Sequence, residues 1–401
     1  MTSMDEIDRD RAARRAYWRA QGVYADYAYS DAFRDAMAQE KIRKQRLLFH
    51  SRVRPRDTTV GELYDASANL AAAFHALGLR QGDAIAVMLP TWSETSLAYL
   101  AALRLGLVVI PIVAIYGGRE IGFIVRQTGA KAIIIPDEWR GSDYSTRIEQ
   151  AGEMPSLSHI ISVGARNKAS TVSWDDLINH CDAEYPAPVV NGDDLCLIIY
   201  TSGTTSDPKG VKHTHNTMLC DRNAVRASGV DVVVPFELDG PTLSVFPAGH
   251  IAGFLGMLRP FLAFQGDLIT VDHWIPEDGA RLIQEQKITS TTGTPVFLTT
   301  LLEAAEKIGA DLSSLKRFNL GASAITPDNV RATDKMGFSG GRTYGMSEHT
   351  VVSSSTGDTF EKRAYTDGKI TPRNQVRICD DDGRDVPTGQ QGEVCTLGPR
   401  L

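Results

Sequence analysis

The stretch LCLIIYTSGTTSDPKGV, residues 195–211, is the most informative segment of this chain. It starts with an apolar run of strand length, 195–200, and continues into a loop of small hydroxyl residues that contains Gly203 and Lys209. Backbone N–H groups and hydroxyls of such a loop can converge on an anion, and the lysine adds a positive charge. We therefore predict a phosphate-binding loop directly after an apolar strand.

The loop is not a Walker A motif. Walker A needs a Ser or Thr directly after its Lys, but Gly210 follows Lys209 here, and Pro208 replaces the second glycine. An ordinary surface turn is the alternative for any loop rich in Ser, Thr and Gly. The complete ten-residue string 201–210 favours phosphate binding over that alternative.

Helix-like and strand-like segments alternate along most of the chain. Thr59 followed by Glu62 has the spacing of a capping box, which opens a helix, and Gly78 is placed to end it. Further helices are predicted at 94–105, 119–127 and 295–308. Strand-length apolar runs occur at 84–89, 108–113, 130–135, 195–200, 242–247, 267–271, 288–292 and 318–321. The alternation predicts an α/β fold of two stacked βα subdomains with mostly parallel sheets.

The pattern divides the chain into four predicted parts. Residues 1–50 are predicted to be an N-terminal helical layer, 51–190 a first βα subdomain, and 191–364 a second one that carries the phosphate loop. In 365–401 the pattern changes to short β-rich runs around the turn Asp381-Asp382-Gly383. This change predicts the start of a small C-terminal β subdomain.

Composition and charge are those of an ordinary globular protein. Of the 401 residues, 42% are hydrophobic and 23% are charged, which excludes a disordered or collagenous chain. A net charge of -7 gives no global field for nucleic acid, so we exclude nucleic acid as a partner. The five cysteines are widely spaced without a CxxC pair, which favours reduced thiols and a cytoplasmic location. The most apolar stretch, 105–116, is too short to be a transmembrane segment, since a spanning helix needs about 20 residues.

Two histidines follow the phosphate loop. His213 and His215 have the spacing that aligns them on one face of a strand. No carboxylate or thiol nearby completes a set of metal ligands, so the sequence does not favour a zinc site. It also contains no GxSxG nucleophile elbow, which argues against a serine hydrolase.

The chain resembles the adenylate-forming superfamily, which comprises acyl-CoA synthetases, carrier-protein adenylation domains and luciferases. The signature loop of that superfamily reads close to TSGTTGxPKGV, and Ser206 stands here where its second glycine is usual. Three further motifs occur in the order of the superfamily: PAGHIAGF at 247–254, GASAITP at 321–327 and YGMSEHT at 344–350. The resemblance covers the chain from about Thr58 to its end.

This resemblance implies which residues bind the phosphates of ATP and the metal. The residues that it assigns to the β- and γ-phosphates are Thr201, Ser202, Gly203, Thr204, Thr205 and Lys209. Glu348 is implied to hold Mg²⁺, because a carboxylate suits a hard cation that bridges phosphate oxygens, and the Thr201 hydroxyl is a second candidate contact. The alternative for Glu348 is a solvated loop carboxylate.

The other implied contacts concern the nucleoside and the acid. The residues that the resemblance assigns to the nucleotide site are Gly321, Ala322, Ser323, Tyr344, Gly345, Met346 and Ser347. Among them, Tyr344 is implied to stack on adenine. His250 is implied to lie beside the carboxylate of the acid, with a structural histidine as the alternative. Lys209, Glu348 and His250 are the predicted catalytic residues.

The function that the resemblance implies is ATP-dependent activation of a carboxylic acid to acyl-AMP, followed by transfer to coenzyme A. ATP, Mg²⁺ and coenzyme A are the expected cofactors and co-substrates. The short interval 350–368 leaves little room for the insert of fatty acyl-AMP ligases, which favours coenzyme A over a carrier protein as acceptor. Loading of a carrier protein and a non-catalytic nucleotide-binding module are the alternatives.

The substrate and the extent of the chain complete these expectations. The motif segments offer small and apolar side chains with no cation beyond His250, so we expect an acid with an apolar fatty, aryl or alicyclic body. The chain stops at GEVCTLGPRL, before the ribose-binding Asp, the hinge and the small lid domain of the superfamily. We therefore expect a large domain only, inactive or very weak alone, and the sequence leaves a homo-oligomer open.

Overall fold

The computed structural model describes residues 4–165, 168–179, 184–201, 208–228, 240–263 and 266–401. The helices are α1 (Met4–Ala20), α2 (Tyr29–Met37), α3 (Glu40–Arg43), α4 (Val60–Ala76), α5 (Ser93–Arg104), α6 (Gly118–Thr128), α7 (Tyr144–Gln150), α8 (Trp174–Asn179), α9 (His215–Ser228), α10 (Ile251–Leu258), α11 (Pro276–Gln286), α12 (Pro295–Ile308), α13 (Pro327–Lys335) and α14 (Phe360–Tyr365). The strands are β1 (Arg46–His50), β2 (Arg56–Thr59), β3 (Ala84–Val87), β4 (Val108–Pro111), β5 (Ala132–Pro136), β6 (Glu138–Trp139), β7 (Ser142–Asp143), β8 (His159–Val163), β9 (Val172–Ser173), β10 (Leu195–Thr201), β11 (Lys209–Thr214), β12 (Thr242–Ser244), β13 (Leu268–Val271), β14 (Ser290–Gly293), β15 (Arg317–Leu320), β16 (Ser339–Tyr344), β17 (Ser353–Ser354), β18 (Lys369–Ile370), β19 (Gln375–Cys379) and β20 (Glu393–Leu397). None of the helices in these ranges is long and apolar enough to cross a membrane.

A seven-stranded sheet has the order β11-β10-β4-β3-β5-β8-β9. Its neighbouring strands run parallel, except that β11 pairs antiparallel with β10. Helices α4 and α5 cover one face, and α6 and α7 cover the other. Side chains of β3 alternate between the two faces, with Ile85 and Val87 on the first and Ala84 and Ala86 on the second. Because both faces are buried, the central strands are continuous apolar runs in the sequence.

A nine-stranded sheet has the order β18-β17-β16-β15-β14-β12-β13-β1-β2. The strands from β16 to β1 in this order are parallel, and β2, β17 and β18 add antiparallel edges. Apolar side chains of its strands, such as Ile269 and Phe318, pack in one cluster with residues of α11 and α12. The two sheets confirm the predicted α/β fold with mostly parallel strands.

The sheets take strands from both sides of the predicted subdomain boundaries. β1 and β2 join the nine-stranded sheet, although most of that sheet comes from residues beyond 240, and β10 and β11 complete the seven-stranded sheet. The N-terminal range 1–50 likewise contains β1 in addition to its helices. The predicted ranges 51–190 and 191–364 therefore do not coincide with the two sheets, because strands pair by spatial fit and not by chain order. The phosphate loop consequently starts at the edge of the sheet built mainly from the earlier range.

Helix α4 begins and ends as its sequence signals predict. Thr59 Oγ1 accepts a hydrogen bond from the Glu62 amide at 3.2 Å, and Glu62 Oε2 accepts one from the Thr59 amide at 3.0 Å. Gly78 lies two residues beyond the helix with a φ of 88°, in the left-handed region that favours glycine. The capping box and the terminating glycine are both confirmed.

The C-terminal segment forms an antiparallel ribbon of β19 and β20. At the predicted turn, the amide of Gly383 donates to the carbonyl oxygen of Asp380 at 2.9 Å. The ribbon is tied to the main body by His349, whose Nε2 lies 3.0 Å from Asn374 Oδ1 and whose Nδ1 lies 3.1 Å from Thr396 Oγ1. These contacts place the ribbon beside the loop that follows β16.

Candidate functional site

The three motif segments after the phosphate loop lie at the carboxyl ends of parallel strands. Segment 247–254 follows β12, 321–327 follows β15, and 344–350 begins at the last residue of β16. Strands β12, β14, β15 and β16 are neighbours in that order, so their carboxyl ends share one edge of the nine-stranded sheet. Ligands of open α/β sheets bind outside such an edge.

The structure describes both ends of the phosphate loop. β10 ends at Thr201 and β11 begins at Lys209, and these two residues are partners in the antiparallel pair. The Thr201 hydroxyl faces the Lys209 carbonyl oxygen at 3.5 Å. Lys209 is exposed, so its ammonium group is accessible to an anion. The predicted phosphate contacts that lie outside the described residues are Ser202, Gly203, Thr204 and Thr205.

The predicted adenine loop turns outward beside β16. The amide of Gly321 is buried and donates to the Gly293 carbonyl oxygen at 3.1 Å. Ala322 has a φ of 61°, which is uncommon for a residue with a Cβ, and it is exposed together with Ser323. Because β15 pairs with β16, this loop and Tyr344 are adjacent. The structure thus brings together the residues that were predicted to contact adenine.

Residues 345–350 form a tight turn, which we call the Glu348 turn. The backbones of Met346 and His349 exchange two hydrogen bonds, of 3.0 and 3.1 Å, and these leave Ser347 and Glu348 at the tip. Glu348 is exposed. Within the described ranges, no residue donates a hydrogen bond to its carboxylate or forms an ion pair with it. The carboxylate is therefore accessible to a cation.

The base of the Glu348 turn is fixed from the C-terminal side. A Cβ on Gly345 would lie 2.2 Å from the Thr350 carbonyl oxygen, so the turn requires glycine there. Arg400 Nη1 donates to the Thr350 hydroxyl over 2.9 Å, and the ring of His349 is fully buried against the β19–β20 ribbon. These contacts hold the base of the turn in place.

His213 joins the strand after the phosphate loop to the Glu348 turn. Its ring is 1% exposed, and its Nε2 donates to the Ser347 carbonyl oxygen at 2.8 Å. Burial lowers the pKa of His213 below the ordinary histidine value, so the ring is neutral at pH 7. No pattern in the sequence indicates this contact, because the two residues are 134 positions apart and only the placement of the two sheets brings them together.

His215 does not share a strand face with His213, so that prediction is wrong. β11 ends at Thr214, and His215 is the first residue of α9. Its Nδ1 accepts a hydrogen bond from the Tyr29 amide at 3.1 Å, and burial lowers the pKa of His215 to about 4. His215 is a buried contact to the N-terminal helices.

His250 caps helix α10. Its Nδ1 accepts a hydrogen bond from the Ala252 amide at 3.2 Å, and its ring stacks on Phe246 with centroids 5.8 Å apart. Burial lowers the pKa of His250, so the imidazole is neutral near pH 7. His250 therefore has a structural role as a cap. It is only partly buried, and its predicted contact with the acid stays a prediction.

The segment that carries His250 packs directly on the other sheet. A Cβ on Gly249 would lie 2.5 Å from the backbone of Ile112, just after β4. The Tyr99 hydroxyl donates to the Ala248 carbonyl oxygen at 3.0 Å, and the Ala248 amide donates to the Thr91 hydroxyl at 3.1 Å. The predicted acid segment therefore lies where the carboxyl ends of strands from both sheets meet.

The side chains present fit a magnesium ion that is shared with nucleotide phosphates. In the part of the chain that the structure describes, no group of three or more His, Cys, Asp or Glu side chains could hold a metal ion. Magnesium in nucleotide sites is usually bound by one or two carboxylates together with substrate phosphates. The accessible carboxylate of Glu348 meets that requirement, whereas a metal centre made of protein ligands alone is not supported.

A cleft of about 710 Å³ lies elsewhere, between the β1–β2 connection, the start of α5 and the segment after β5. Its walls include Arg54, Arg140, Trp92 and Trp139, and none of the predicted site residues. The candidate site is therefore defined by the motif loops and their contacts, not by this cleft.

The chain is similar to known proteins along nearly all of its length. The sequence profile of the family described as AMP-binding enzyme matches residues 33–401. The chain is 28% identical over 406 residues to the medium-chain fatty-acid–CoA ligase of Escherichia coli strain K12. This alignment covers 97% of this chain and 68% of that protein. It is 29% identical over 355 residues to the 2-hydroxy-7-methoxy-5-methyl-1-naphthoate–CoA ligase of Streptomyces carzinostaticus, covering 84% of this chain and 62% of that protein.

Solved structures show the same fold. The crystal structure of the anthranilate CoA ligase AuaEII in complex with anthranoyl-AMP superposes with a TM-score of 0.78 at 22% identity, over 93% of this chain and 69% of that one. At this level of identity the likeness concerns the fold alone. In each comparison the chain spans about two thirds of the length of the other protein.

Proposed function

Since this chain belongs to the AMP-binding enzyme family, we propose that it activates a carboxylic acid with ATP to form an acyl-AMP, and that the acyl group then passes to coenzyme A. The observation that carries the proposal is the convergence of the motif loops. His213 links the hairpin of the phosphate loop to the Glu348 turn at 2.8 Å, and the adenine loop lies beside Tyr344. The residues that we propose to bind phosphate, metal and base therefore lie on elements of the two sheets that contact each other.

In this proposal, the phosphates of ATP lie at the loop end of the β10–β11 hairpin. The ammonium group of Lys209 neutralises the β- and γ-phosphates, and Glu348 holds the magnesium ion. The other proposed phosphate ligands are Thr201, Ser202, Gly203, Thr204 and Thr205. Adenine stacks on Tyr344. The other residues proposed to line the nucleotide are Gly321, Ala322, Ser323, Gly345, Met346 and Ser347.

The reaction begins with two anions that must approach each other. An oxygen of the acid forms a bond to the α-phosphorus, the bond from that phosphorus to the bridging oxygen breaks, and pyrophosphate leaves. The positive charge of Lys209 lowers the cost of this approach, and the fixed loops keep the attack in line. Magnesium, when bound, neutralises further phosphate charge. In the second step the thiol sulfur bonds to the acyl carbon and AMP leaves.

We propose an acid with an apolar body. The two ligases compared above are named for a medium-chain fatty acid and for a substituted naphthoate. Beside His250, Phe246 stacks on the imidazole and meets Phe297 edge to face with centroids 6.1 Å apart. Aromatic surface is thus available next to the ring that we place at the acid carboxylate.

Product analysis tests this function. The protein is incubated with ATP, Mg²⁺ and a panel of fatty and aromatic acids, with and without coenzyme A, as the 401-residue chain and in any longer form. From a longer form we expect acid-dependent pyrophosphate release, acyl-AMP without coenzyme A and acyl-CoA with it, whereas the 401-residue chain alone should turn over very weakly or not at all. Acyl-AMP that never becomes a thioester in the longer form would indicate another acceptor, such as a carrier protein. Nucleotide binding by the longer form without either product would indicate a binding module.

A further inference from the structure

His213 bridges the two sheets at the candidate site. It lies on β11 of the seven-stranded sheet, and its Nε2 is 2.8 Å from the carbonyl oxygen of Ser347, which follows β16 of the nine-stranded sheet. A carbonyl oxygen can only accept, so Nε2 must carry the proton. The contact is therefore directional, with the imidazole as donor.

The other side of the imidazole is fixed as well. Nδ1 of His213 lies 3.3 Å from the Thr217 hydroxyl. With the proton on Nε2, Nδ1 can only be the acceptor in this contact. The Thr217 hydroxyl accepts a hydrogen bond from the Thr214 amide at 3.0 Å and lies 3.0 Å from the Thr214 carbonyl oxygen, so its position is set by the start of α9. Thr217 and His213 are both buried. The ring consequently has one orientation, and the Nε2–H group points at one acceptor.

The acceptor belongs to the peptide unit that precedes Glu348. The carbonyl group of Ser347, the amide of Glu348 and the Glu348 Cα share one rigid plane, so a hydrogen bond to that carbonyl fixes the point from which the Glu348 side chain leaves the backbone. The two residues stand at the tip of the Glu348 turn, beyond the reciprocal hydrogen bonds between Met346 and His349. His213 therefore holds the tip of the Glu348 turn, which the backbone hydrogen bonds of the turn itself do not hold.

The same strand carries the phosphate lysine. Lys209 and His213 are four residues apart on β11, and residues at that spacing lie on the same face of a strand. Four residue steps along a strand span about 13 Å. The pairing of β11 with β10 keeps this distance fixed. One strand and one hydrogen bond therefore connect the backbone of Lys209 to the peptide plane of Glu348.

We propose that His213 is a positioning residue that holds Glu348 at a fixed distance from Lys209, so that the metal carboxylate and the lysine meet the same nucleotide phosphates. This inference rests on the proposed function. It separates two roles for the ring. A histidine that only fills the core would tolerate any apolar side chain of similar size, whereas a positioning histidine needs its Nε2 donor.

Two substitutions distinguish these roles. His213→Gln keeps an amide nitrogen close to the position of Nε2, and His213→Met keeps the volume but has no donor. The readout is the dissociation constant of Mn²⁺, used as a paramagnetic substitute for Mg²⁺, on the ATP-bound chain, from the electron paramagnetic resonance signal of free Mn²⁺. We expect His213→Met to raise it about tenfold, as for other residues that orient a metal ligand, and His213→Gln to stay within about threefold of wild type.

The matched control is His215→Asn, which removes another buried imidazole two residues away that does not touch the Glu348 turn. We expect its Mn²⁺ affinity to equal that of the wild type. Affinity for AMP without metal should stay within about twofold in all three variants, since only the orientation of Glu348 changes. Equal Mn²⁺ affinity for His213→Met and wild type would overturn the proposal, as would equal losses for Met and Gln.

A second measurement does not depend on the folding of a variant. Long-range ¹H–¹⁵N spectra of the histidine-labelled wild-type chain report which imidazole nitrogen carries the proton. We expect the Nε2–H tautomer for His213, and an Nδ1–H tautomer would overturn the proposal. Failure of the proposed function has a different signature, because a wild-type chain that binds neither ATP nor AMP would remove that function whatever tautomer is observed.

Discussion

Thr201 and Lys209 are partners at the loop end of the β10–β11 hairpin. This pairing holds the two ends of the phosphate loop at one point and puts an exposed ammonium group beside it. Lys212 lies on the same strand, is also exposed and, three residues on, belongs to the opposite face. The two lysines therefore provide a matched pair for testing the loop.

Replacing Lys209 with Ala should weaken the binding of ATP much more than the binding of AMP, because AMP lacks the β- and γ-phosphates. Loss of a hydrogen bond to a charged group costs about 1.5 to 3 kcal/mol, or roughly a ten- to a hundredfold loss of ATP affinity by calorimetry. AMP affinity should change by about twofold or less, and Lys212→Ala should change neither. Equal losses for ATP and AMP would contradict the assignment of Lys209 to the outer phosphates.

Replacing Glu348 with Gln removes the charge that magnesium prefers and keeps the size of the side chain. The Mg²⁺ concentration that half-saturates ATP binding should rise by about tenfold or more. Glu361→Gln changes an exposed glutamate on α14 and serves as the control. An unchanged Mg²⁺ titration for Glu348→Gln would mean that the carboxylate is only a solvated loop residue.

His250 combines a helix cap with an aromatic ring, and two substitutions separate them. His250→Asn keeps an acceptor for the Ala252 amide, whereas His250→Ala removes the cap as well, at a cost of about 1 kcal/mol in stability. We expect His250→Asn to unfold at the wild-type temperature and to raise the KM for the acid about three- to tenfold, the range of one aromatic contact. An unchanged KM in His250→Asn would leave His250 as a cap alone.

The free energy of unfolding should decrease as the pH is lowered, and His215 should cause part of this decrease. Burial lowers the pKa of His215 to about 4 in the folded chain, against an ordinary value of 6.5. The unfolded chain therefore binds a proton near pH 6.5, while the folded chain stays neutral down to about pH 4. Above pH 6.5 the ring is neutral in both states, and the free energy of unfolding is not reduced. As the pH falls to 4, the free energy of unfolding decreases by up to about 3 kcal/mol.

The variant His215→Asn tests this pH dependence, since Asn keeps an acceptor for the Tyr29 amide but does not titrate. Urea unfolding at pH 7, 6, 5 and 4.5 gives the difference in unfolding free energy between variant and wild type. That difference should shift in favour of the variant as the pH falls. A difference that stays constant over this range would show that His215 titrates normally.

Local features of this fold could be predicted from the sequence, because they depend on neighbouring residues. The capping box at Thr59 and Glu62 sets the start of α4, and the continuous apolar runs identify strands that are buried on both faces. The membership of the sheets could not be predicted in this way. β1 pairs with β13, more than two hundred residues later, and a pattern of alternating segments contains no information on such a pairing.

The same limit applies to the candidate site. The motif loops were identified by resemblance, and the order of the parallel strands then decides which of them are adjacent. The hydrogen bond from His213 to Ser347 depends on how two sheets are placed, so no spacing in the sequence indicates it. The error over His215 has a local cause, because β11 ends at Thr214 and the next residue opens a helix.

Calorimetric titration of the 401-residue chain with AMP tests whether the motif loops form a nucleotide site. We expect one AMP per chain and much weaker binding of ribose 5-phosphate, which lacks the base. We also expect an AMP affinity about tenfold lower in Tyr344→Ala, since a base stacked on an aromatic ring contributes about 1 to 3 kcal/mol. Tyr365→Ala, at a position 58% exposed on α14, should bind AMP like the wild type. The proposed nucleotide site would be contradicted if AMP showed no saturable binding. It would also be contradicted if AMP bound no better than ribose 5-phosphate and equally well to wild type and Tyr344→Ala.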